Sequence, residues 1–395
     1  MPIIVYDKEI PFSYEIFSKL GKMVPIDTDN VDWDIINSAE ILLIRSNIKI
    51  DSKLIANAEK LKVICTASAG VEHIDTVYAD QRGITIFNAK GSNVQAVADY
   101  VLAAFFAMFK RVPFMEKRVG IIGLGMIGQE VYRRFTSLGC YCVGYDPFNS
   151  KQSFNIGKID DILSCDVITF HIPLIKEGLQ KTYHFFSKRE ISALRPGTFL
   201  INTSRGEVID EDALLSHMRK KNNLKLAFDV WNGEPNINKE MTTYCELATP
   251  HIAGWSETAR KDAMIMLFEK ASSYYNLNKL NFFRGQSNKF QEKKQEILTH
   301  YPPDFMDLLS TMLEKCVDIK THSYNFKLAL NSQKNAMTVF NASRSAYRSR
   351  AQLSDFFTSN NELSYKERKI LKNFGIPFIQ LSSRQKLISE IKCKL

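Results

Sequence analysis

The sequence predicts an α/β protein built on doubly wound parallel sheets. Three observations lead there. Short apolar runs alternate with helix-length segments over most of the first 255 residues. Most of these runs are apolar throughout, the pattern of strands covered on both faces. Glycines gather directly after one of them, in "VGIIGLGMIGQEV".

Taken in order, "PIIVYD", "ILLIRS", "KVICTAS" and "ITIFNA" read as buried strands of a small unit over residues 1–92, with helices in "YEIFSKLG" and "SKLIANAEKL". Residues 93–111, "NVQAVADYVLAAFFAMFKR", set Val94, Val97, Val101, Phe105 and Met108 on one helical stripe. So apolar a helix is predicted to connect two domains and to be buried between them. Six more strands follow, in "RVGIIGLG", "CYCVGYD", "CDVITFHIPL", "TFLINTS", "KLAFDVW" and "ELATPHI". They define a second domain over 93–255, and residues 256–285 are expected to return to the first. Beyond a polar linker, "RGQSNKFQEKKQE", residues 286–395 read as a separate α+β domain. Three domains suit 395 residues, because single cores stop growing near ~250–300.

Bulk composition, 45% hydrophobic and 24% charged, is that of a soluble globular protein. Asp7, Lys8 and Glu9 come too early for a secretory signal, and "YVLAAFFAMF" falls short of the ~20 residues that span a bilayer. A cytoplasmic protein with no membrane partner is expected. The seven cysteines form no CxxC pair, which predicts reduced thiols and no metal site. The net charge of +9 is local: 19 basic and 10 acidic residues follow residue 280, against 33 of each before it. The tail carries no nucleic-acid recognition signature, and no nucleic-acid partner is expected.

Gly123, Gly125 and Gly128 form GxGxxG between a strand and a helix, with Asp146 closing the next strand. The glycines allow a tight turn, close approach of a pyrophosphate and helix packing, while the helix N-terminus faces the phosphates. Asp146 would bond the ribose hydroxyls and repel a 2′-phosphate, which favours NAD; nearby Lys151 argues weakly the other way. Met126, Ile127, Ile172, Thr203, Asp229 and Gly254 complete the expected cofactor-binding set.

Ligands bind beyond the carboxyl ends of such strands, and Arg205, Glu234 and His251 all stand there. Each alone has a bland explanation as a surface, turn or structural residue. Together they supply a base of near-neutral pKa, a carboxylate to orient it and a cation for a carboxylate and carbonyl oxygen. Hydride transfer between an alcohol and a ketone needs that set.

The ordered motifs GxGxxG, NxSRGxxxD, DVWxxEP and TPHIAG resemble those of the D-isomer-specific 2-hydroxyacid dehydrogenases over nearly all of residues 40–275. The resemblance implies a Rossmann NAD domain, a smaller flavodoxin-like substrate domain, His251 as general acid/base, Glu234 as its partner and Arg205 on the substrate. It also implies that Arg45, Ser46, Ser68, Ala69, Gly70 and Trp255 contact substrate. "LLIRSNIKI" and the C-terminal "FNASRSAYRSRAQLSDFF" resemble a branch acting on a small phosphorylated hydroxy acid, whose extra domain makes a homodimer. That branch usually has a tyrosine where Trp255 stands. Arg344, Arg348 and Arg350 are candidates for the phosphate. Two rival readings stay open here: another hydroxy acid as substrate, and an NAD-binding scaffold without activity.

Overall fold

The computed structural model describes residues 1–27, 32–109, 116–148, 153–277, 295–296, 304–333, 335–347, 350–358 and 362–378. Lys151, Arg348 and most of the expected linker lie outside the described residues. The chain divides into two compact units. One comprises residues 1–93 and the helix Glu257–Tyr274; the other comprises Val94–Trp255 with the described residues from 295 onward.

In the first unit, β1 (Ile3–Asp7), β2 (Lys22–Ile26), β3 (Ile41–Ile44), β4 (Val63–Thr66) and β5 (Thr85–Asn88) form one parallel sheet in the order β2-β1-β3-β4-β5. That is the flavodoxin-type order, reversing between β1 and β3. β3 and β4 are buried at every position, which is why they read as near-continuous apolar runs. β2, "KMVPI", was not legible as a strand, and its place explains why: it is the half-exposed edge, and Pro25 is tolerated there because an edge residue can lack an N–H. The helix Glu257–Tyr274 is capped by Ser256, whose Oγ accepts the Ala259 N–H at 3.0 Å. It packs Phe268 edge-on against Phe17 at 5.8 Å, and Lys270 Nζ donates to the Asn88 carbonyl at 2.9 Å.

The main sheet of the second unit has six parallel strands: β6 (Arg118–Ile122), β7 (Tyr141–Tyr145), β8 (Val167–Phe170), β9 (Phe199–Asn202), β10 (Lys225–Phe228) and β11 (Leu247–Ala248). Their order, β11-β10-β9-β8-β6-β7, makes the doubly wound sheet the sequence predicts and reverses between β6 and β8. The helix Met126–Ser137 leaves the glycine loop after β6.

The apolar helix Val94–Phe109 differs from expectation. Its burial is accounted for inside the second unit, against the helix Met126–Ser137 on one side and the C-terminal helix Phe305–Val317 on the other. Phe105 meets Phe135 edge-on at 4.9 Å, and Phe109 meets Phe199 at 5.9 Å. The C-terminal segment, predicted to form a separate domain, is docked on the helices Val94–Phe109 and Met126–Ser137 and on edge strand β11. Its described residues are mostly helical, with Ile319–Ser332, Ala336–Ala346 and Tyr365–Asn373 besides a short parallel pair, Gln295–Glu296 with Phe356–Phe357. Its docking also satisfies polar groups that the sheet leaves over: Ser323 Oγ accepts the Ala248 N–H of edge strand β11 at 2.9 Å, and Lys327 Nζ donates to the Cys245 carbonyl at 2.6 Å.

Candidate active site

The loops after β6 and β8 abut at the switch point. A Cβ on Gly128 would lie 1.8 Å from the Gly123 carbonyl oxygen, and one on Gly123, where φ is +88°, would lie 2.6 Å from that of His171 and 2.7 Å from Ile172. These two glycines let the chain pack on itself. Gly125 is different: a Cβ there would meet nothing within 4 Å. It is the N-cap of a 12-residue helix and has no side-chain cap, so open space fronts the helix N-terminus where anions bind. Exposed Met126 and half-buried Ile127 begin that helix. Asp146 Oδ2 accepts the Leu124 N–H at 2.8 Å and Oδ1 that of Phe148 at 3.1 Å, which holds the carboxylate beside the glycine loop. Two buried polar atoms at neighbouring strand ends, Thr203 Oγ1 and His171 Nδ1, have no protein partner. Burial lowers the His171 pKa to about 3, so this imidazole is neutral. Open helix terminus, flanking carboxylate and orphaned polar atoms fit a dinucleotide.

Further along the sheet, three successive strand ends carry the other candidates. After β9, Asn202 organises the turn: its Oδ1 accepts from Ser204 N and Oγ at 3.0 and 2.9 Å, and its Nδ2 donates to the Arg205 carbonyl at 2.9 Å. A Cβ on the next residue, Gly206, would come within 2.0 Å of Trp231 backbone, so this turn lies directly on the segment after β10. There Glu234 Oε1 accepts the Trp231 N–H at 2.8 Å and Oε2 meets His251 Nδ1 at 2.7 Å. Burial pushes the Glu234 pKa up, but the His251 charge, its hydrogen bond and the Trp231 N–H prevail and leave it below the usual value.

His251 adopts φ +56°, a left-handed conformation unfavourable for a residue with a Cβ. Asp229 holds it there. This fully buried carboxylate accepts from Thr249 Oγ1 at 2.6 Å and from the N–H groups of Ile252 and Ala253 at 2.8 Å, while its own carbonyl accepts the His251 N–H at 2.7 Å. Burial pushes its pKa up despite those bonds. The sequence assigns Asp229 to the cofactor; in the structure its carboxylate is occupied in shaping the histidine loop. Tyr100 and Trp231, bonded to Thr249 side chain and carbonyl at 2.6 and 2.9 Å, brace the same loop.

Gly254 and half-buried Trp255 follow. Arg344, from the helix Ala336–Ala346, lies over the indole with its guanidinium carbon 4.9 Å from the ring centre, in the same chain. Its charge also helps hold the Glu234 pKa down. Arg350 is turned inward, 7% exposed, with donors on the Ala96, Ala253 and Ala351 carbonyls, and is thereby removed from the anion-binding candidates.

In the first unit, Arg45 stands at the β1/β3 switch point. It makes a two-pronged pair with fully buried Asp7, 2.5 Å from Nε to Oδ2 and 3.1 Å from Nη2 to Oδ1. Ser46 is exposed beside it. After β4, Ser68 Oγ donates to the Gly70 carbonyl at 2.7 Å, and the Ala69 carbonyl accepts Asn88 Nδ2 at 2.8 Å. Thr66 Oγ1 links Ser68 Oγ and His73 Nε2 at 2.7 and 3.0 Å.

Sequence reasoning missed Asp7, Asn202, His73 and Thr249, all of which orient rather than present chemistry. Asp7 was findable: it closes an apolar strand as Asp146 does. Glu211 was also missed. Burial raises its pKa to about 7, against the opposing N–H of Asn232 and aided by the Asp212 charge. A carboxyl whose pKa rises from 4.5 to about 7 on folding weakens the fold progressively as pH climbs through that window, and not below it. Glu211→Gln is therefore expected to match the parent in melting temperature near pH 4.5 and to exceed it increasingly up to pH 7, as scanning calorimetry would record.

Residues 97–253 match the D-isomer specific 2-hydroxyacid dehydrogenase NAD binding domain. An erythronate-4-phosphate dehydrogenase from Marinomonas sp. is 36% identical over 280 residues, 70% of this chain and 73% of that one. Its counterpart from Hahella chejuensis is 36% identical over 277 residues, 69% and 72% of the two chains. Among solved structures, NAD⁺-bound 3-phosphoglycerate dehydrogenase of Entamoeba histolytica superposes with a TM-score of 0.62 at 28% identity, over 70% of this chain and 95% of that one. D-lactate dehydrogenase of Aquifex aeolicus shares the fold at 0.60 and 21% identity, over 73% and 97%. With its motifs and sheets in agreement, the chain belongs to the D-isomer specific 2-hydroxyacid dehydrogenase family, among the erythronate-4-phosphate dehydrogenases.

Proposed function

We propose that this chain oxidises 4-phospho-D-erythronate at C2 to 3-hydroxy-2-oxo-4-phosphobutanoate with NAD⁺, a step of pyridoxal 5′-phosphate biosynthesis. The observation that carries the reading is the 2.7 Å His251–Glu234 contact, held on a left-handed loop of the same sheet that offers the dinucleotide site. Bound nicotinamide supplies the hydride acceptor. Glu234 engages Nδ1, which leaves Nε2 as the ring nitrogen that takes the C2 hydroxyl proton; the carboxylate favours the resulting imidazolium. Arg205 steadies the oxygen as it becomes a carbonyl and binds the substrate carboxylate. Backbone N–H groups around Ser68–Gly70 serve the carboxylate as well. Gly125, Asp146 and Thr203 hold the cofactor, Asp146 selecting NAD through the ribose hydroxyls.

For the substrate phosphate, Arg344 is the proposed partner in the second unit, with Arg45 a further cation in the first. Arg344 carries a charge over Trp255, four residues along the chain from His251, and that charge acts on Glu234. A hydrogen bond to a charged group contributes about 1.5–3 kcal/mol, so Arg344→Ala should raise KM for the phosphorylated acid roughly tenfold or more and leave KM for D-glycerate nearly unchanged. Equal effects on both substrates would remove Arg344 from the phosphate site. The proposed assembly is a cytoplasmic homodimer through the C-terminal segment, where Tyr324 and Leu328, one helical turn apart, are exposed.

NADH formation with 4-phosphoerythronate, 3-phosphoglycerate, D-glycerate and D-lactate tests the reading, with a 2-oxo-acid acceptor run in parallel to reveal retained cofactor. Preference for 4-phosphoerythronate is expected. Preference for another acid keeps the reaction and overturns the substrate, while silence throughout overturns both.

A further inference from the structure

Ala253 is gripped from two sides. Its N–H donates to Asp229 Oδ2 at 2.8 Å, and its carbonyl accepts Arg350 Nη2 at 2.9 Å. The same nitrogen donates to the Ala96 carbonyl at 2.6 Å, in the first turn of the helix Val94–Phe109. Nη1 donates to the Ala351 carbonyl at 3.2 Å and lies 4.0 Å from buried Asp99. A guanidinium so enclosed cannot exchange these partners for water, and its planar fork fixes the carbonyls relative to one another.

The loop it holds needs such a bracket. His251 sits two residues before Ala253 with φ at +56°, and a non-glycine residue keeps that conformation only where its surroundings over-determine it. Asp229 supplies the grip on the N–H side, from the sheet. The opposing grip comes from far along the chain, out of the segment that follows the helix carrying Arg344.

We infer that Arg350 is a positioning residue for the proposed reaction: by tying the Ala253 carbonyl to the helix Val94–Phe109, it keeps the loop in the form in which His251 meets Glu234. The C-terminal segment thereby acts on the chemistry within its own chain. The inference rests on the dehydrogenase reading for its kinetic consequence, and on the geometry alone for its effect on the loop.

The test compares Arg350→Lys and Arg350→Gln with Arg134→Lys. Arg134 shares the Asp99 network and is even more deeply buried, but its bonds go to Asp99, Glu130 and Gln95 rather than to the histidine loop. Hydrogen–deuterium exchange over residues 249–255 and steady-state kinetics are read on the same full-length preparations. Both Arg350 variants should exchange faster over 249–255, with kcat lowered about tenfold to a hundredfold, as misplacement of a reacting group by an ångström does, and KM for NAD⁺ moved little. Lysine, which keeps the charge, should lose less than glutamine. Arg134→Lys should lower the melting temperature without either local effect. Unchanged exchange over 249–255 in the Arg350 variants, or a kcat loss no greater than that of Arg134→Lys, would overturn the inference. If the parent protein proves inactive the reaction reading fails, and the exchange data still decide the bracket.

Discussion

Replacing His251 with asparagine is expected to lower kcat by roughly 10²–10⁴-fold, the usual contribution of a positioned acid or base. The amide Nδ2 can stand in for Nδ1 and donate to Glu234, and asparagine tolerates the left-handed conformation, so the loop and its clamp on Asp229 should survive. KM for NAD⁺ and the melting temperature should stay near the parent values, because the dinucleotide loop after β6 is built from other residues. Near-parental turnover would remove His251 from the proton-transfer role. Glu234→Gln makes a useful companion. Its carboxylate is held ionised by the imidazole and the Trp231 N–H, so neutralising it should cost activity through the imidazolium rather than through the fold.

Asp99→Ala is expected to produce the largest loss of stability. Asp99 and Arg134 are both completely buried and 2.5 Å apart, and Asp99 Oδ2 also accepts the Leu353 N–H at 2.9 Å. Removing the carboxylate strands a buried guanidinium that Glu130 and Gln95 only partly satisfy. Breaking a buried pair in this way costs about 3–5 kcal/mol, whereas exchanging both members for apolar side chains is often neutral. Asp99→Ala should therefore lower the melting temperature of the second unit by roughly 2–4 °C for each kcal/mol. Asp99→Leu combined with Arg134→Met should recover much of it. A double variant as unstable as the single one would mean that the Leu353 N–H and Arg350 contacts, not the ion pair, are what Asp99 provides.

Much of the fold was legible because burial writes itself into sequence. β3, β4, β8 and β9 are buried at every position, and each appears as a predominantly apolar run. β2 was illegible for the opposite reason, since a half-exposed edge strand with a proline has neither continuity nor alternation. Composition gave the C-terminal residues away as basic but not where they dock, because the apolar faces of Phe305–Val317 and Val94–Phe109 say only that each needs cover.

At the site, the sequence by itself determined which groups are present. Glycines after a strand, an acid closing the next, and Arg205, Glu234 and His251 at later strand ends are chemical types whose spacing places them beyond a parallel sheet. Only the tertiary structure decided how they are held. Asp229 became the clamp of the histidine loop, Asp7 the orienting partner of Arg45, and Arg350 a buried bracket where Arg344 alone of the described pair lies over Trp255. Spacing along a strand fixes which end of the sheet a residue reaches. The partner of a charge depends on segments up to 254 residues apart, as between Arg350 and Ala96, and that pairing is set by packing.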